Sequence, residues 1–175
     1  MIMKTSAFFR IVTAFAFLTL FAASAFAQEI TIEKSTKKTN AELYAGFSYD
    51  NTGDDFSFIY LGLTGIYDLS HGNQYFIDMG LNFGINDGKD MFLLNFTPGL
   101  RLNTNDRGNF NLFVDIGAGP GAFANFDKED FNTGLNTMLR LGLGYKNFGI
   151  HFGNQFLFGP NVNFSNTTVS IYWRF

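Results

Sequence analysis

The sequence predicts an all-β fold, an eight-stranded antiparallel up-and-down transmembrane β-barrel. Three observations predict it. From residue 41 onward, segments of alternating apolar and polar side chains are separated by short clusters of Gly, Asn and Asp. Within these segments glycine falls almost always on the polar face, and the last segment alternates as far as the C-terminal Phe175. A period of two indicates a β-strand, because successive side chains leave a pleated backbone on opposite faces.

The N-terminal residues predict export. Lys4 and Arg10 precede an apolar run at 11–23 that only two threonines interrupt, and residues 25–27 (Ala-Phe-Ala) place small residues where a signal peptidase reads them. We therefore expect a cleaved secretory signal peptide at 1–27. The alternative, a transmembrane helix anchor, is disfavoured because this run is shorter than the roughly 20 residues that a spanning helix needs.

The composition of the chain excludes several classes of protein. No cysteine is present, which excludes disulfides and thiolate metal sites. The formal net charge is −3, and it becomes more negative once Lys4 and Arg10 leave with the signal peptide. Nucleic-acid binding is not expected, since it needs a basic patch. The polar residues 28–40 are expected to form a flexible periplasmic lead-in, and residues 41–175 a single outer-membrane β-barrel domain.

Eight segments with a period of two are expected to form the strands. They lie at about 41–50, 56–68, 74–84, 91–102, 110–122, 133–146, 148–158 and 166–175. No helix is expected, because no window of helical length has a period near 3.6. Pro98 and Pro120 fall inside strands, where each removes a ladder hydrogen bond, so local bulges are expected there.

The even number of strands places both mature termini on one side of the membrane. The C-terminal strand of this class of barrel ends in the periplasm, so both termini are expected to be periplasmic. The connections at the opposite ends of the strands are then expected outside the cell. These are the loops near 51–55, 85–90, 123–132 and 159–165.

Glycine placement indicates which face of the strands points inward. A soluble lipocalin-like barrel also alternates, but with its apolar face inside. Glycine suits the crowded lumen of an eight-stranded barrel, so the polar face is expected inside. Its glycines are Gly46, Gly62, Gly80, Gly84, Gly99, Gly117, Gly119, Gly121, Gly142, Gly144, Gly149 and Gly153, with Gly65 alone on the other face.

Aromatic residues gather at the ends of the segments, as in the two interfacial belts of a membrane-spanning barrel. Those expected at the periplasmic ends are Tyr67, Tyr75, Phe110, Tyr145, Phe148, Trp173 and Phe175. Those expected at the opposite ends are Tyr49, Phe56, Phe83, Phe92, Phe156 and Phe158.

With these features the chain resembles the small OmpA/OmpX-type barrels, the outer membrane protein beta-barrel domain family, over about residues 41–175. The terminal pattern of Val169, Ile171, Trp173 and Phe175 resembles the signal that the barrel-assembly machinery reads. The resemblance implies a location in the cell outer membrane, contact with its lipids, and that machinery as a partner during biogenesis. It names no surface or periplasmic protein partner. Members with long surface loops often act in adhesion or host contact, whereas the loops here are short.

Charged residues on the inward face predict a polar network in the lumen. Hairpin registers place Asp115 near Arg101 and Arg140, and Arg174 on the last strand reaches Glu42 where the barrel closes. The full set is Glu42, Asp78, Arg101, Asp115, Arg140, His151 and Arg174. The network is interpreted either as a gated polar pore or as a structural plug. The plug is favoured because eight strands leave no continuous water channel.

Catalysis, a cofactor and a metal site are not expected. Enzymatic barrels of this size include lipid A deacylases, whose His-x-Ser pattern would place the nucleophile two residues after His151, where this chain has Gly153. Ser170 is on the neighbouring strand, but Tyr172 is expected more nearly opposite His151. The other histidine, His71, lies in a turn expected on the periplasmic side, away from the outer leaflet where lipid A lies.

The function expected from the sequence is therefore that of a non-catalytic integral outer-membrane protein with a plugged polar lumen and a structural, envelope or surface-interaction role. The alternatives are a narrow passive pore for small solutes, a lipid A-modifying enzyme and a soluble periplasmic binding barrel.

Overall fold

The chain forms a closed antiparallel β-barrel of eight strands in sequential order, which confirms the expected fold class. The computed structural model describes residues 39–51, 57–69, 73–84, 91–103, 109–126, 130–160 and 163–175. Its strands are β1 (Thr39–Asp50), β2 (Ser57–Asp68), β3 (Gln74–Gly84), β4 (Met91–Asn103), β5 (Phe110–Asn125), β6 (Asp130–Tyr145), β7 (Phe148–Phe158) and β8 (Asn163–Arg174).

Part of the chain lies outside this description. The signal peptide expected at 1–27 and the lead-in expected at 28–40, apart from its last two residues, fall there. Thr39 and Asn40 belong to β1, so the first strand begins two residues before the expected boundary at 41. None of the described residues belongs to a helix that is long and apolar enough to cross a membrane.

Three strands extend farther than expected at the rim where β5 turns into β6. β5 continues to Asn125, β6 begins at Asp130, and β8 begins at Asn163. The polar residues here were expected to form loops, but Ala122 to Asn125 keep the ladder register with Thr133 to Asp130. Apolar packing between Phe123 and Phe164, whose ring centroids lie 5.8 Å apart, stabilises these extensions.

The barrel closes where β1 pairs with β8, from Glu42 opposite Arg174 to Asp50 opposite Asn166. Backbone hydrogen bonds of 3.0 and 2.9 Å between Ala41 and Phe175 continue this seam to the chain end. Thr39 and Phe175 therefore lie at the same rim, which we call the terminal rim. The opposite rim carries the β1–β2, β3–β4, β5–β6 and β7–β8 connections.

The strands are displaced along one another as they go around the barrel. If each residue is followed to its paired residue on the next strand, starting from Thr39 on β1, the path around the barrel returns to β1 at Tyr49. This is ten residues farther along the strand. Such a displacement requires strongly tilted strands, and with eight of them the interior is just wide enough for side chains to fill it. Residues far apart in sequence are thus brought to the same level of the lumen.

The expected bulges at Pro98 and Pro120 are absent from the β4–β5 ladder. Asn95 pairs with Gly121 and Gly99 with Gly117, so equal numbers of residues separate the pairs on both strands and the register is kept. The two prolines lie in the gap between these pairs, while the β3–β4 and β5–β6 ladders pass Pro98 and Pro120 without interruption. Both missing N–H donors fall in one ladder, so the ladder is interrupted and no residue is inserted.

The outward surface is apolar, and the inward surface is mixed and buried. Outward side chains include Ile171 (68% exposed), Phe47 (67%) and Phe148 (66%), whereas inward Asp115 and Phe113 are fully buried. Rings pair within the expected aromatic belts, Phe110 with Tyr145 at the terminal rim and Phe83 with Phe92 at the other. Phe131 adds an exposed ring at the opposite rim that was not expected, whereas Phe56 lies outside the described residues.

Candidate functional site: the lumen network

The lumen contains a buried ion-pair network whose residues lie on β3, β4, β5 and β6 and on the two strands of the closing seam, β1 and β8. Glu42 on β1, Asp78 on β3 and Asp115 on β5 are fully buried carboxylates, and Arg101 on β4 and Arg140 on β6 lie between them. Arg174, on β8, completes the set from the terminal rim, with its side chain 20% exposed. Three carboxylates thus face three guanidiniums, so the charges balance while His151 is neutral.

Arg101 bridges two carboxylates across the lumen. Its Nη1 and Nη2 donate to the two Glu42 oxygens at 2.8 and 2.9 Å, and its Nε and Nη2 donate to the two Asp115 oxygens at 2.6 and 2.9 Å. The guanidinium carbon also lies 3.6 Å from the centre of the Phe113 ring. Two bidentate pairs and a ring contact thus compensate the desolvation of this buried cation.

Arg140 connects the same Asp115 to a second cluster. Its Nε donates to Asp115 Oδ2 at 2.9 Å, and its Nη1 donates to Asp78 Oδ1 at 2.9 Å. Asp78 also accepts hydrogen bonds from Thr64 Oγ1 at 2.6 Å and from Tyr44 Oη at 3.0 Å. The network therefore ties β1, β2, β3, β5 and β6 together through side chains alone.

Glu42 is the point at which the network meets the closing seam. Arg174 donates to Glu42 Oε1 from Nη2 at 2.6 Å and from Nε at 3.0 Å, which is the contact expected across the β8–β1 junction. The contact between Glu42 and Arg101 was not expected, because their strands are three apart. Only the ten-residue displacement around the barrel brings these two residues to one level, and no single hairpin register reveals it.

His151 is buried beside the network. Its ring stacks on Tyr172 with centroids 4.3 Å apart, and its Nδ1 lies 3.4 Å from Ser170 Oγ. Its Nε2 lies 3.6 Å from Glu42 Oε2. The expectation that Tyr172 stands opposite His151 is wrong, because the ladder pairs His151 with Ser170 and Gly149 with Tyr172. The Tyr172 ring reaches His151 diagonally, over the space left by Gly149.

Two further layers lie on the side of the network toward the opposite rim. The first consists of buried carboxamide side chains, Asn82, Asn95, Asn136, Gln155 and Asn166. The second, which we call the apolar cap, is a buried cluster of Phe58, Met91, Leu93, Phe123, Leu157 and Phe164. The periodicity predicts these residues to be inward, except Phe123 and Phe164, which fall in segments expected to form loops. The grouping of the residues into levels depends on the summed registers.

The residues of the expected assembly signal lie on the outer surface of β8. Val169, Ile171, Trp173 and Phe175 are all exposed. Trp173 stacks against Phe148 of β7 and contacts Phe175 in the terminal-rim belt. In the described part of the chain, no group of three or more His, Asp or Glu side chains has an arrangement that would hold a metal ion.

Comparison with known proteins identifies the fold. No protein-family model matches the sequence, and no curated protein matches it. Neisserial surface protein A (NspA) is similar over 81% of this chain and 100% of its own, with a TM-score of 0.60 and 9% identity. The outer membrane enzyme PagL is similar over 77% and 97%, with a TM-score of 0.56 and 15% identity.

A third similar structure is Ail, the attachment invasion locus protein of Yersinia pestis. It matches 79% of this chain and 98% of its own, with a TM-score of 0.52 and 16% identity. Proteins of different roles thus share this architecture. The chain has the fold of the small eight-stranded outer-membrane β-barrels.

Proposed function

We propose that the protein is an integral outer-membrane β-barrel whose lumen is closed by its own side chains, with a structural, envelope or surface-interaction role and no catalysis. The observation that carries the proposal is the inverted distribution of polarity, an apolar exterior around a buried ionic interior. In a water-soluble barrel the exposed leucine, isoleucine and phenylalanine side chains would form a very large apolar patch, which monomeric soluble proteins rarely carry.

The location follows from the same surface. A bilayer accommodates an apolar belt between two aromatic girdles. A closed barrel pairs its backbone groups within the wall, and here the gap in the β4–β5 ladder is the exception among the described ladders. We propose that the terminal rim, and with it both mature termini, faces the periplasm and that the opposite rim faces the outside of the cell. The proposed partners are the surrounding outer-membrane lipids and, through the outward residues of β8, the barrel-assembly machinery.

Closure of the lumen rests on two barriers in series. The ion-pair network fills one level of the lumen with paired side chains, and the apolar cap fills a level nearer the opposite rim. A polar lumen is the observation that favours the alternative of a narrow passive pore. An apolar constriction, however, opposes the passage of ions by excluding water.

The conductance of planar lipid bilayers distinguishes the two functions. We expect bilayers containing the purified protein to show no current steps above the baseline of bilayers alone. An Arg140→Leu variant opens only the network level, so it too is expected to stay closed behind the apolar cap. Regular openings in the unmodified protein would overturn the proposal of a closed lumen.

Heat-modifiable mobility tests the barrel and its location together. A sample kept unboiled in detergent is expected to migrate differently from a boiled one on a denaturing gel, because a closed barrel resists unfolding by detergent. The protein is also expected in the outer-membrane fraction after carbonate or urea extraction. Release into the soluble fraction would contradict the membrane location.

The arrangement of Ser170, His151 and Glu42 is the observation that favours an enzyme. Ser170 Oγ lies 3.4 Å from His151 Nδ1, and His151 Nε2 lies 3.6 Å from Glu42 Oε2. The three side chains thus stand in the order of a nucleophile, a base and an orienting carboxylate. All three side chains are buried in the lumen, however, and Glu42 already accepts hydrogen bonds from two arginines. We expect Ser170→Ala to leave the lipid A composition of a producing strain unchanged when it is measured by mass spectrometry.

A further inference from the structure

Five carboxamide side chains form one layer across the lumen, between the ion-pair network and the apolar cap. They project inward from five strands, and each is at most 1% exposed. Gln155 and Asn166 are directly opposite each other in the β7–β8 ladder, while Asn82 and Asn95 lie on adjacent strands. We call Asn82, Asn95, Asn136, Gln155 and Asn166 the carboxamide layer.

The amide nitrogens of four of these side chains have acceptors. Asn136 donates to Thr97 Oγ1 at 2.8 Å, and Gln155 donates to Tyr60 Oη at 2.9 Å. Asn166 donates to Ser48 Oγ at 2.9 Å. Asn95 directs its nitrogen toward an oxygen of Asp78 at 3.5 Å, and this carboxylate fixes the orientation of the amide, because a carboxylate only accepts.

The amide oxygens of all five side chains lack a hydrogen-bond donor among the described residues, and Asn82 Nδ2 lacks an acceptor there. Five amide oxygens and one amide nitrogen therefore remain without partners in one buried layer. Buried amide groups without partners are costly and uncommon in native proteins. A ligand of this layer must offer the amide oxygens a positive charge or hydrogen-bond donors.

We propose that the carboxamide layer binds a dehydrated monovalent metal cation, of the sodium or potassium type, inside the lumen. Carbonyl oxygens that replace the hydration shell of an ion are an established means of holding such cations in proteins. One cation can be approached by several amide oxygens at once, whereas a single water molecule has only two hydrogens to donate. The layer itself carries no carboxylate, which makes it a poor site for Ca²⁺ or Mg²⁺.

The network below the layer is compatible with a bound cation. Its three carboxylates and three guanidiniums balance, so it presents no net positive charge to the layer. Four of the five amide nitrogens of the layer donate to hydroxyls or to Asp78. The proposed site is independent of the closed-lumen proposal, because a trapped cation stabilises the fold without passing through it.

Thermal unfolding in different salts tests the cation site. The protein, purified in detergent, is heated in sodium, potassium or N-methylglucamine chloride at one ionic strength, and folded barrel is measured by gel mobility. We expect the unfolding midpoint to rise by a few degrees, saturably, with at least one alkali cation and not with N-methylglucamine. Equal midpoints in all three salts would overturn the proposal.

A pair of variants tests whether the cation-dependent shift arises from the carboxamide layer. Asn82→Leu combined with Asn136→Leu is expected to abolish the cation-dependent shift. Asn154→Leu is the matched control, because Asn154 follows Gly153 on β7 and hydrogen-bonds Thr167 outside the lumen. The control is expected to retain the full shift, and a shift that persists in the double variant would contradict the assignment.

Crystals of the unmodified protein grown in rubidium or thallium salt provide a test that needs no variant. An anomalous scattering peak is expected within coordination distance of the five amide oxygens. Ordered waters in the layer with no such peak would show that hydration alone satisfies the amides, and the cation site would be rejected.

Discussion

Asp115 is the carboxylate that two buried guanidiniums share. It accepts hydrogen bonds from Arg101 and from Arg140, and neither arginine has access to solvent. Breaking a buried ion pair by removing one partner is far more harmful than replacing the whole group with apolar residues, because the remaining charge stays buried and uncompensated. The importance of Asp115 therefore lies in the two cations that depend on it.

Asp115→Leu is expected to destabilise the barrel by about 3–5 kcal/mol, the usual penalty for leaving a buried charge without its partner. The measurement is urea unfolding in detergent or lipid, followed by the gel mobility of the folded form. Asp130→Asn is the control, because Asp130 is exposed at the start of β6, and its effect should stay within about 0.5 kcal/mol. Similar urea midpoints for the two variants would contradict the role of the network in stability.

Glycine at the closing seam permits a close approach of β1 and β8. A Cβ atom added at Gly46 would overlap the carbonyl oxygen of Val169 and the Cα and Cβ atoms of Ser170. The overlap is largely with backbone, which cannot rotate away as a flexible side chain can. This seam joins the two strands most distant in sequence, so it is the one part of the wall that no hairpin helps to form.

Gly46→Ala is expected to lower stability by about 1–3 kcal/mol, the range for overpacking, and to reduce the yield of folded barrel. The yield is measured as the heat-modifiable fraction after refolding into lipid vesicles. Ala45→Leu, at the neighbouring outward position, should refold as well as the unmodified protein. A Gly46→Ala variant that folds with full yield and stability would show that the seam has more room than the structure indicates.

The two prolines define a weak point in the wall between β4 and β5. Pro98 and Pro120 both lie in the unpaired gap of this ladder, and neither has an N–H to donate. Replacement of both with valine restores the donors in residues that suit a strand. The double variant should resist urea more strongly, by about 0.5–1.5 kcal/mol for each hydrogen bond gained.

Ala118→Val is the control for the proline variants, since it adds a branched side chain to the same ladder without adding a donor. It should change the urea midpoint little. If the double proline variant were less stable than the unmodified protein, the gap would have to be a favourable feature of the wall and not a tolerated defect.

The parts of the structure that depend on local pattern were predictable from the sequence. Alternation identified the eight strands and their inward faces, and short hairpins identified contacts between neighbouring strands, such as Asp115 with Arg101 and Arg140. Strand ends were less predictable, because Asn and Asp near residues 123–132 suit both a turn and a barrel rim. There the packing of Phe123 against Phe164 favours longer strands over loops.

Contacts across the lumen were not predictable in the same way. The pairing of Arg101 with Glu42 and the gathering of five carboxamides at one level depend on the displacement summed over all eight ladders. An error of two residues in any single hairpin would keep every side chain on its proper face but move it to another level. The composition of the lumen was therefore predictable, whereas the partners within it required the closed barrel.

At the scale of the whole molecule, the central claim is that the apolar face of every strand contacts lipid acyl chains. Since the chain contains no cysteine, single cysteines carrying a nitroxide spin label report on one position at a time. A label at the outward Leu139 is expected to be relaxed strongly by oxygen, which dissolves in the bilayer core, and weakly by a water-soluble nickel complex. A label at the inward Asn136 is expected to be shielded from both reagents.

Along β6, from Leu135 to Leu143, oxygen accessibility in lipid vesicles is the measurement that tests this claim most directly. It is expected to oscillate with a period of two, with maxima at the outward leucines. Outward labels that the nickel complex relaxes as strongly as it relaxes a fully hydrated label would place that face in water, and the membrane-embedded barrel would be contradicted.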